Sequence, residues 1–163
     1  MIVWVLLFIL VVWSLIPYYP KPRIWRNFLT PQECDEIIET SKPELKESTV
    51  SLKRVVDERI RKSETCYLKK EIPVVGKLVD KVCWWLGRPS ENAESLQVVK
   101  YTPGGFYNTH QDANCFVDES SDNERLYTVL VCLNDNFEGG ETEFPEIGEK
   151  WIANIWVHEK KFV

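Results

Sequence analysis

Apolar and polar positions alternate along Leu96-Gln-Val-Val-Lys-Tyr101, the period-two pattern of a strand. The turn residues Pro103-Gly104-Gly105 follow, and Phe106 to Gln111 reads as a further strand. After a polar loop, Arg125-Leu-Tyr-Thr-Val-Leu-Val-Cys-Leu133 predicts another. Upstream the period changes to that of a helix. Thr30-Pro31-Gln-Glu33 is a capping box with proline at the first helical position. Cys34, Ile37, Ile38 and Ser41 then share one face, and Pro43 ends the helix. Ile72, Val75, Leu78, Val79, Val82 and Leu86 predict a second helix, with Gly87 as its stop. Both stripes read as core, so these helices would brace the outside of a sheet.

The N-terminus has a different pattern. Ile2 to Ile16 carries no charge. It is slightly short of the ~20 residues of a spanning helix, although ~17 can suffice. It has neither a basic leading region nor a small-residue cleavage site, which disfavours a cleaved signal peptide. Trp4, Trp13, Tyr18 and Tyr19 suit a membrane interface. The expectation is an uncleaved signal anchor over 1–17, a linker over 18–23 and one domain over 24–163. Lys21, Arg23 and Arg26 follow the apolar run, and the positive-inside rule would place them in the cytoplasm.

Composition narrows the class without naming a function. Seven Trp, six Tyr and seven Phe in 163 residues are enough for one domain's core. A net charge of −5 gives no support for nucleic-acid binding. No internal repeat, zinc-ligand cluster, phosphate loop or nucleophile elbow is present. Lys53-Arg54 and Arg59-Ile-Arg-Lys62 alternate with Asp57-Glu58 and read as a solvated face. Five cysteines at irregular spacing do not describe a disulfide framework. Cys34, Cys83 and Cys132 are expected as core thiols, while Cys66 and Cys115 are the candidates for a bridge.

The candidate chemistry lies in His110-Gln111-Asp112. On an extended strand, residues two apart point to the same face, so the imidazole and the carboxylate could bind one metal ion. Two histidines and one carboxylate, with open positions, form the ligand set of non-haem Fe(II) oxygenases. Spacing alone offers His158, the only other histidine, as the third ligand.

Several motifs in order carry a resemblance to the prolyl 4-hydroxylase branch of the Fe(II)- and 2-oxoglutarate-dependent dioxygenases. They are Tyr101…His110-x-Asp112, then Arg125-x-x-Thr128-x-Leu-x-x-Leu133-Asn134-Asp135, then Gly139-Gly140-Glu141-Thr142-x-Phe144-Pro145. Gly148-Glu-Lys-Trp151-x-Ala153-x-x-Trp156-Val resembles the strand that closes the family domain. Phe28 to Cys34 resembles its first helix, and Arg61-Lys-Ser63 its Arg-x-Ser stretch. The similarity covers roughly residues 24 to 157. It implies an α+β fold, a double-stranded β-helix (jelly roll) braced by N-terminal helices. It also implies hydroxylation of peptidyl proline with Fe(II), O2 and 2-oxoglutarate, with ascorbate as a further family cofactor. A proline-containing peptide or protein would be the substrate, and the domain would lie in the lumen of the endoplasmic reticulum. That orientation conflicts with the positive-inside reading.

The resemblance assigns His110 and Asp112 to iron. Tyr101 would donate to the distal carboxylate of 2-oxoglutarate, with Thr142 a weaker cofactor contact; an ordinary strand aromatic is the alternative reading of Tyr101. Arg125 resembles a residue of the catalytic site near the peptide groove, or else it is a surface charge at a strand start. The sequence also departs from the family. Pro145 is followed by Glu146-Ile147 and then directly by Gly148. The family has a long segment there, expected to supply two strands, the distal iron-binding His and the 2-oxoglutarate Lys. The barrel is therefore expected to be incomplete, with open edges. His158 follows the closing-strand motif, whereas the family's distal ligand precedes it. It reads as a histidine at a fraying strand end, and Lys160 and Lys161 as a solvated tail. The alternative to an active hydroxylase is an impaired splice form, gene-model product or pseudo-enzyme that at most binds protein.

Overall fold

The computed structural model describes residues 23–50, 55–108, 110, 112, 125–137, 150–158 and 160, with side chains omitted at 150–152. The expected anchor over 1–17, Cys115 and Thr142 lie outside them. So do Lys53, Arg54 and Lys161, together with the stretch around Pro145 to Gly148. Among the described residues, no helix is long and apolar enough to cross a membrane.

Helix α1 (Pro31–Ser41) begins as the sequence predicts. Thr30 Oγ1 accepts from the Glu33 backbone N–H at 3.2 Å, and the Glu33 carboxylate accepts from the Thr30 N–H at 2.9 Å. This closes the capping box. A 3-10 turn (Lys42–Glu44) ends it. Helix α2 (Pro73–Leu86) stops at Gly87, whose φ of 64° lies in the left-handed region that glycine adopts without strain.

Among the described residues, seven strands follow the chain order β1 (Lys46–Glu47), β2 (Arg61–Lys62), β3 (Glu64–Leu68), β4 (Leu96–Tyr101), β5 (Phe106–Tyr107), β6 (Arg125–Cys132) and β7 (Lys150–His158). They form a five-stranded sheet in the order β1-β3-β4-β7-β6 and a two-stranded sheet of β2 with β5. Every pairing is antiparallel. The architecture is α+β.

Strand periodicity sorts the sheet into two faces. Cys66, Leu68, Leu96, Val98, Val131, Ala153, Ile155 and Val157 pack with Ile37, Val75, Leu78, Val79 and Val82 of the helices in one apolar core. Neighbouring residues along the same strands point the other way. Across that second face, Gln97 Nε2 donates to Tyr67 Oη at 2.9 Å, and Asn154 Nδ2 donates to Gln97 Oε1 at 3.0 Å. Leu130, paired with Asn154, is 56% exposed.

Three sequence expectations need correction. The strand predicted over Phe106–Gln111 pairs only at Phe106 and Tyr107, because its partner β2 is two residues long. Cys66 is a buried free thiol on β3, and Cys132 is exposed because strand alternation turns it to the second face; all four described cysteines are free. Arg61 is buried, not part of a solvated face. Pairing β2 with β5 carries it inward, where hydroxyl groups meet its guanidinium.

Candidate active site

The second face and the small sheet build the site together. The turn before β5 is tight: a Cβ on Gly105 would stand 2.9 Å from the carbonyl oxygens of Lys62 and Thr102, so only glycine fits. Just beyond β5, Asn108 is pinned twice. Its N–H donates to the Ile60 carbonyl at 2.9 Å, and its Nδ2 donates to the Arg59 carbonyl at 3.2 Å. The Asn108 carbonyl in turn lies 2.9 Å from His110 Nδ1. A carbonyl can only accept, so Nδ1 is the donor here, and in the neutral imidazole Nε2 then keeps its lone pair for a metal. Tyr107 stacks on the His110 ring at 3.7 Å, and the Arg61 guanidinium lies 4.6 Å from the Tyr107 ring.

The free Nε2 stands 3.4 Å from Asp112 Oδ1. Two donors each about 2.1 Å from one ion and at right angles are roughly 3.0 Å apart, so small adjustments bring both onto a common metal. A ligand histidine with its other ring nitrogen on a backbone carbonyl is the usual arrangement around a bound ion. His110 and Asp112 are brought together as expected, though from a loop. They fit two of three protein ligands. Among the described residues, no group of three His, Cys, Asp or Glu completes a site.

His158 is held elsewhere. It is 2% exposed, and its Nε2 lies 2.9 Å from Glu94 Oε1. The fraying-end reading is therefore wrong: β6 pairs across to His158, and Asn92 Nδ2 donates to its carbonyl at 3.0 Å. The same Glu94 carboxylate receives Arg125 in a two-pronged contact, at 2.5 Å to Nε and 2.9 Å to Nη2. Arg125 also donates to the Asp112 backbone carbonyl at 3.1 Å and lies 4.0 Å from the Trp156 ring. Arg125 is thus no loose surface charge. It ties the loop bearing Asp112 to the sheet. Trp156 Nε1 is buried and has no hydrogen-bond partner among the described residues.

Tyr101 ends β4 on the second face, 4% exposed, with its hydroxyl bonded to Ser63 and Arg61. Burial pushes its phenol above the ordinary tyrosine range, so it remains a donor at neutral pH. A cleft of about 410 Å³ opens beside Arg61, Ser48, Thr65 and Tyr67. Sequence reasoning missed Glu94, Asn108 and Trp156 as parts of this site. Glu94 sits in a polar loop far from both of its partners, so no local pattern marks it.

A family model described as the 2OG-Fe(II) oxygenase superfamily matches residues 96–155. A putative prolyl 4-hydroxylase of Acanthamoeba polyphaga mimivirus is 30% identical over 189 residues, covering 88% of this chain and 76% of the relative. The chain belongs to the prolyl 4-hydroxylase family of 2OG-Fe(II) oxygenases. Prolyl 4-hydroxylase 5 of Arabidopsis thaliana is 34% identical over 153 residues, covering 90% of this chain and 52% of that protein. The chain thus spans about half the length of its Arabidopsis relative. The viral collagen prolyl hydroxylase of Paramecium Bursaria Chlorella virus-1, solved as a 2OG complex, has a TM-score of 0.59 at 24% identity, over 80% of this chain and 92% of that one. A Pseudomonas putida prolyl-4-hydroxylase gives 0.54 at 14% identity, over 81% and 89%. These structures share the fold, which supports the jelly-roll expectation for the antiparallel sheets. As a family member, the chain is a prolyl 4-hydroxylase-like dioxygenase, and the family implies Fe(II) and 2-oxoglutarate.

Proposed function

We propose that this chain carries the machinery for hydroxylating peptidyl proline, with an iron site that is complete only in part. The observation that carries this reading is the His110–Asp112 pair, oriented through Asn108 and locked by Arg125 onto the Glu94–His158 pair. Bound Fe(II), 2-oxoglutarate and O2 would supply the oxidation, with ascorbate as the family's further cofactor. The protein would bind, orient and shield. His110 Nε2 and Asp112 Oδ1 would hold the metal. Tyr101 would donate to the cofactor's distal carboxylate, and Thr142, outside the described residues, is kept from the family motif as a weaker candidate. Arg125 lies near the groove for a proline-containing peptide and acts there by holding the Asp112 loop.

The register adds a residue that sequence reading passed over. Lys150 is the cross-strand partner of Tyr101, which puts both residues on one face of the sheet. The 2-oxoglutarate Lys and the distal iron-binding His are the losses expected of the absent segment. One comparison favours such a loss. The match to the mimivirus relative runs over 189 positions, while 88% of this 163-residue chain is about 143 residues. Some 46 of those positions (189 less 143) therefore have no residue here. This supports the second reading, an impaired splice form, gene-model product or pseudo-enzyme. The division into an anchor over 1–17, a linker over 18–23 and a domain over 24–163, lumenal in the endoplasmic reticulum, is part of the same proposal.

Succinate release with a proline-rich peptide and titration with Fe(II) test it. The chain as written is expected to bind Fe(II) weakly and turn over little. His110→Ala should abolish the binding, and His158→Ala should leave it unchanged. A relative's segment inserted between Pro145 and Gly148 should restore both binding and turnover. Robust turnover by the unmodified chain, lost in Asp112→Ala, would overturn the partial-site reading.

A further inference from the structure

A cluster of large apolar side chains lies away from the active site. Trp84 and Trp85, at the end of α2, are 79% and 50% exposed. Ile24 and Trp25, from the start of the described chain, are 81% and 41% exposed. Trp25 and Trp85 meet edge to face at 4.9 Å. Single exposed apolar residues are ordinary, but the Trp25–Trp85 contact, with Ile24 and Trp84 exposed next to it in the chain, marks a surface meant to be covered. The core does not need it, because Val75, Leu78, Val79 and Val82 fill the opposite side of α2.

Two observations say what covers it. The first is charge. Arg23 and Arg26 flank Ile24-Trp25 in the chain, and Lys81 precedes Trp85 by one turn of α2; all three are exposed, with Lys81 4.2 Å from the Phe28 ring and donating to the Phe28 carbonyl. Asp80 is the acid on the same stretch of helix. In a chain of net charge −5, this corner is cationic. Indoles with Lys and Arg close by in the chain suit the headgroup level of a bilayer, where an apolar ring body and a polar N–H are both satisfied. Anionic lipid phosphates would pair with the cations. The second observation is the tether. The uncharged run ends at Ile16, and Trp25 follows Pro17 by only eight residues, which extend to at most about 28 Å. If the run inserts into a membrane, Ile24 and Trp25 stay within about 28 Å of its surface.

We infer that the Ile24–Trp25–Trp84–Trp85 patch seats the domain on a lipid bilayer, with Arg23, Arg26 and Lys81 on lipid phosphates. The inference rests on the membrane reading of residues 1–17 and adds the orientation of the domain. The indoles enter the interface, so the domain lies against the membrane instead of hanging from a free linker.

The test uses the full-length chain with Trp4→Phe and Trp13→Phe, so that the apolar run carries no indole. It is reconstituted into vesicles of phosphatidylcholine and phosphatidylserine, with plain or brominated acyl chains. Brominated lipid should quench the emission. Adding Trp84→Phe and Trp85→Phe should cut the quenched emission by roughly half or more, since two of three interfacial indoles are gone. Trp84→Phe alone, at an exposed position, should give an intermediate loss. A chain that floats with the vesicles but is not quenched would overturn the inference and leave the membrane reading standing. That result would mean the patch is covered by a second copy or by the chain's own N-terminal run. A chain that stays soluble would overturn both readings.

Discussion

The two faces of the five-stranded sheet are built from the same strands and differ in almost everything else. Toward the helices, Leu96, Val98, Ala153, Ile155 and Val157 are sealed, and contacts there are apolar and interchangeable. On the other face, the Tyr67–Gln97–Asn154 row, the Glu94–Arg125–His158 cluster and Tyr101 are held by directed bonds. Leu130 and Cys132 there remain open. Stability resides on the first face because burial is non-directional and scales with area. Chemistry resides on the second because a site needs groups at fixed angles.

Paired truncations break this comparison most sharply. Leu78→Ala, at 1% exposure, should cost about 2–5 kcal/mol in urea unfolding. Leu130→Ala, at 56% exposure, should stay within about 0.5 kcal/mol. Equal losses would mean that the second face is packed as tightly as the first. Next in size is Glu94→Gln. It removes the charge that receives Arg125 and faces His158, and should cost about 1.5–3 kcal/mol. Weaker Fe(II) binding should accompany it, since Arg125 also holds the Asp112 carbonyl. Stability loss without any change in metal binding would show that the cluster is merely structural.

The smallest effect concerns pH. Burial on the helix face pushes the Cys66 thiol up to about 11, from 9.0. Its folded pKa exceeds the unfolded one, so its contribution is full below about 9 and is lost as pH rises through about 11. Burial raises the Tyr101 phenol too, in the same alkaline direction. The Glu33 and Asp57 carboxyls act oppositely, held near 2 by hydrogen bonds to Lys77 and Arg59 respectively. Their support is present above the ordinary carboxylate range and fades as pH falls toward 2. Unfolding midpoints should therefore plateau near neutrality, and Cys66→Ala should flatten the alkaline limb. An unchanged limb would place the alkaline sensitivity in Tyr101 or elsewhere.

Local pattern was enough to place both helices, their caps, strand β4 and nearly all of β6. It also marked His110 and Asp112, because capping, periodicity and a two-residue spacing are short-range signals. Family motifs located the closing strand. What the sequence could not show was partnership between distant residues. Arg61 looked solvated until β2 paired with β5. His158 looked loose until Glu94 met it, 64 residues away in the chain. Lys150 looked like part of a motif until the register set it opposite Tyr101. These outcomes depend on which strands lie side by side, and that is decided by the energy of the whole sheet and its core, not by any neighbouring residue.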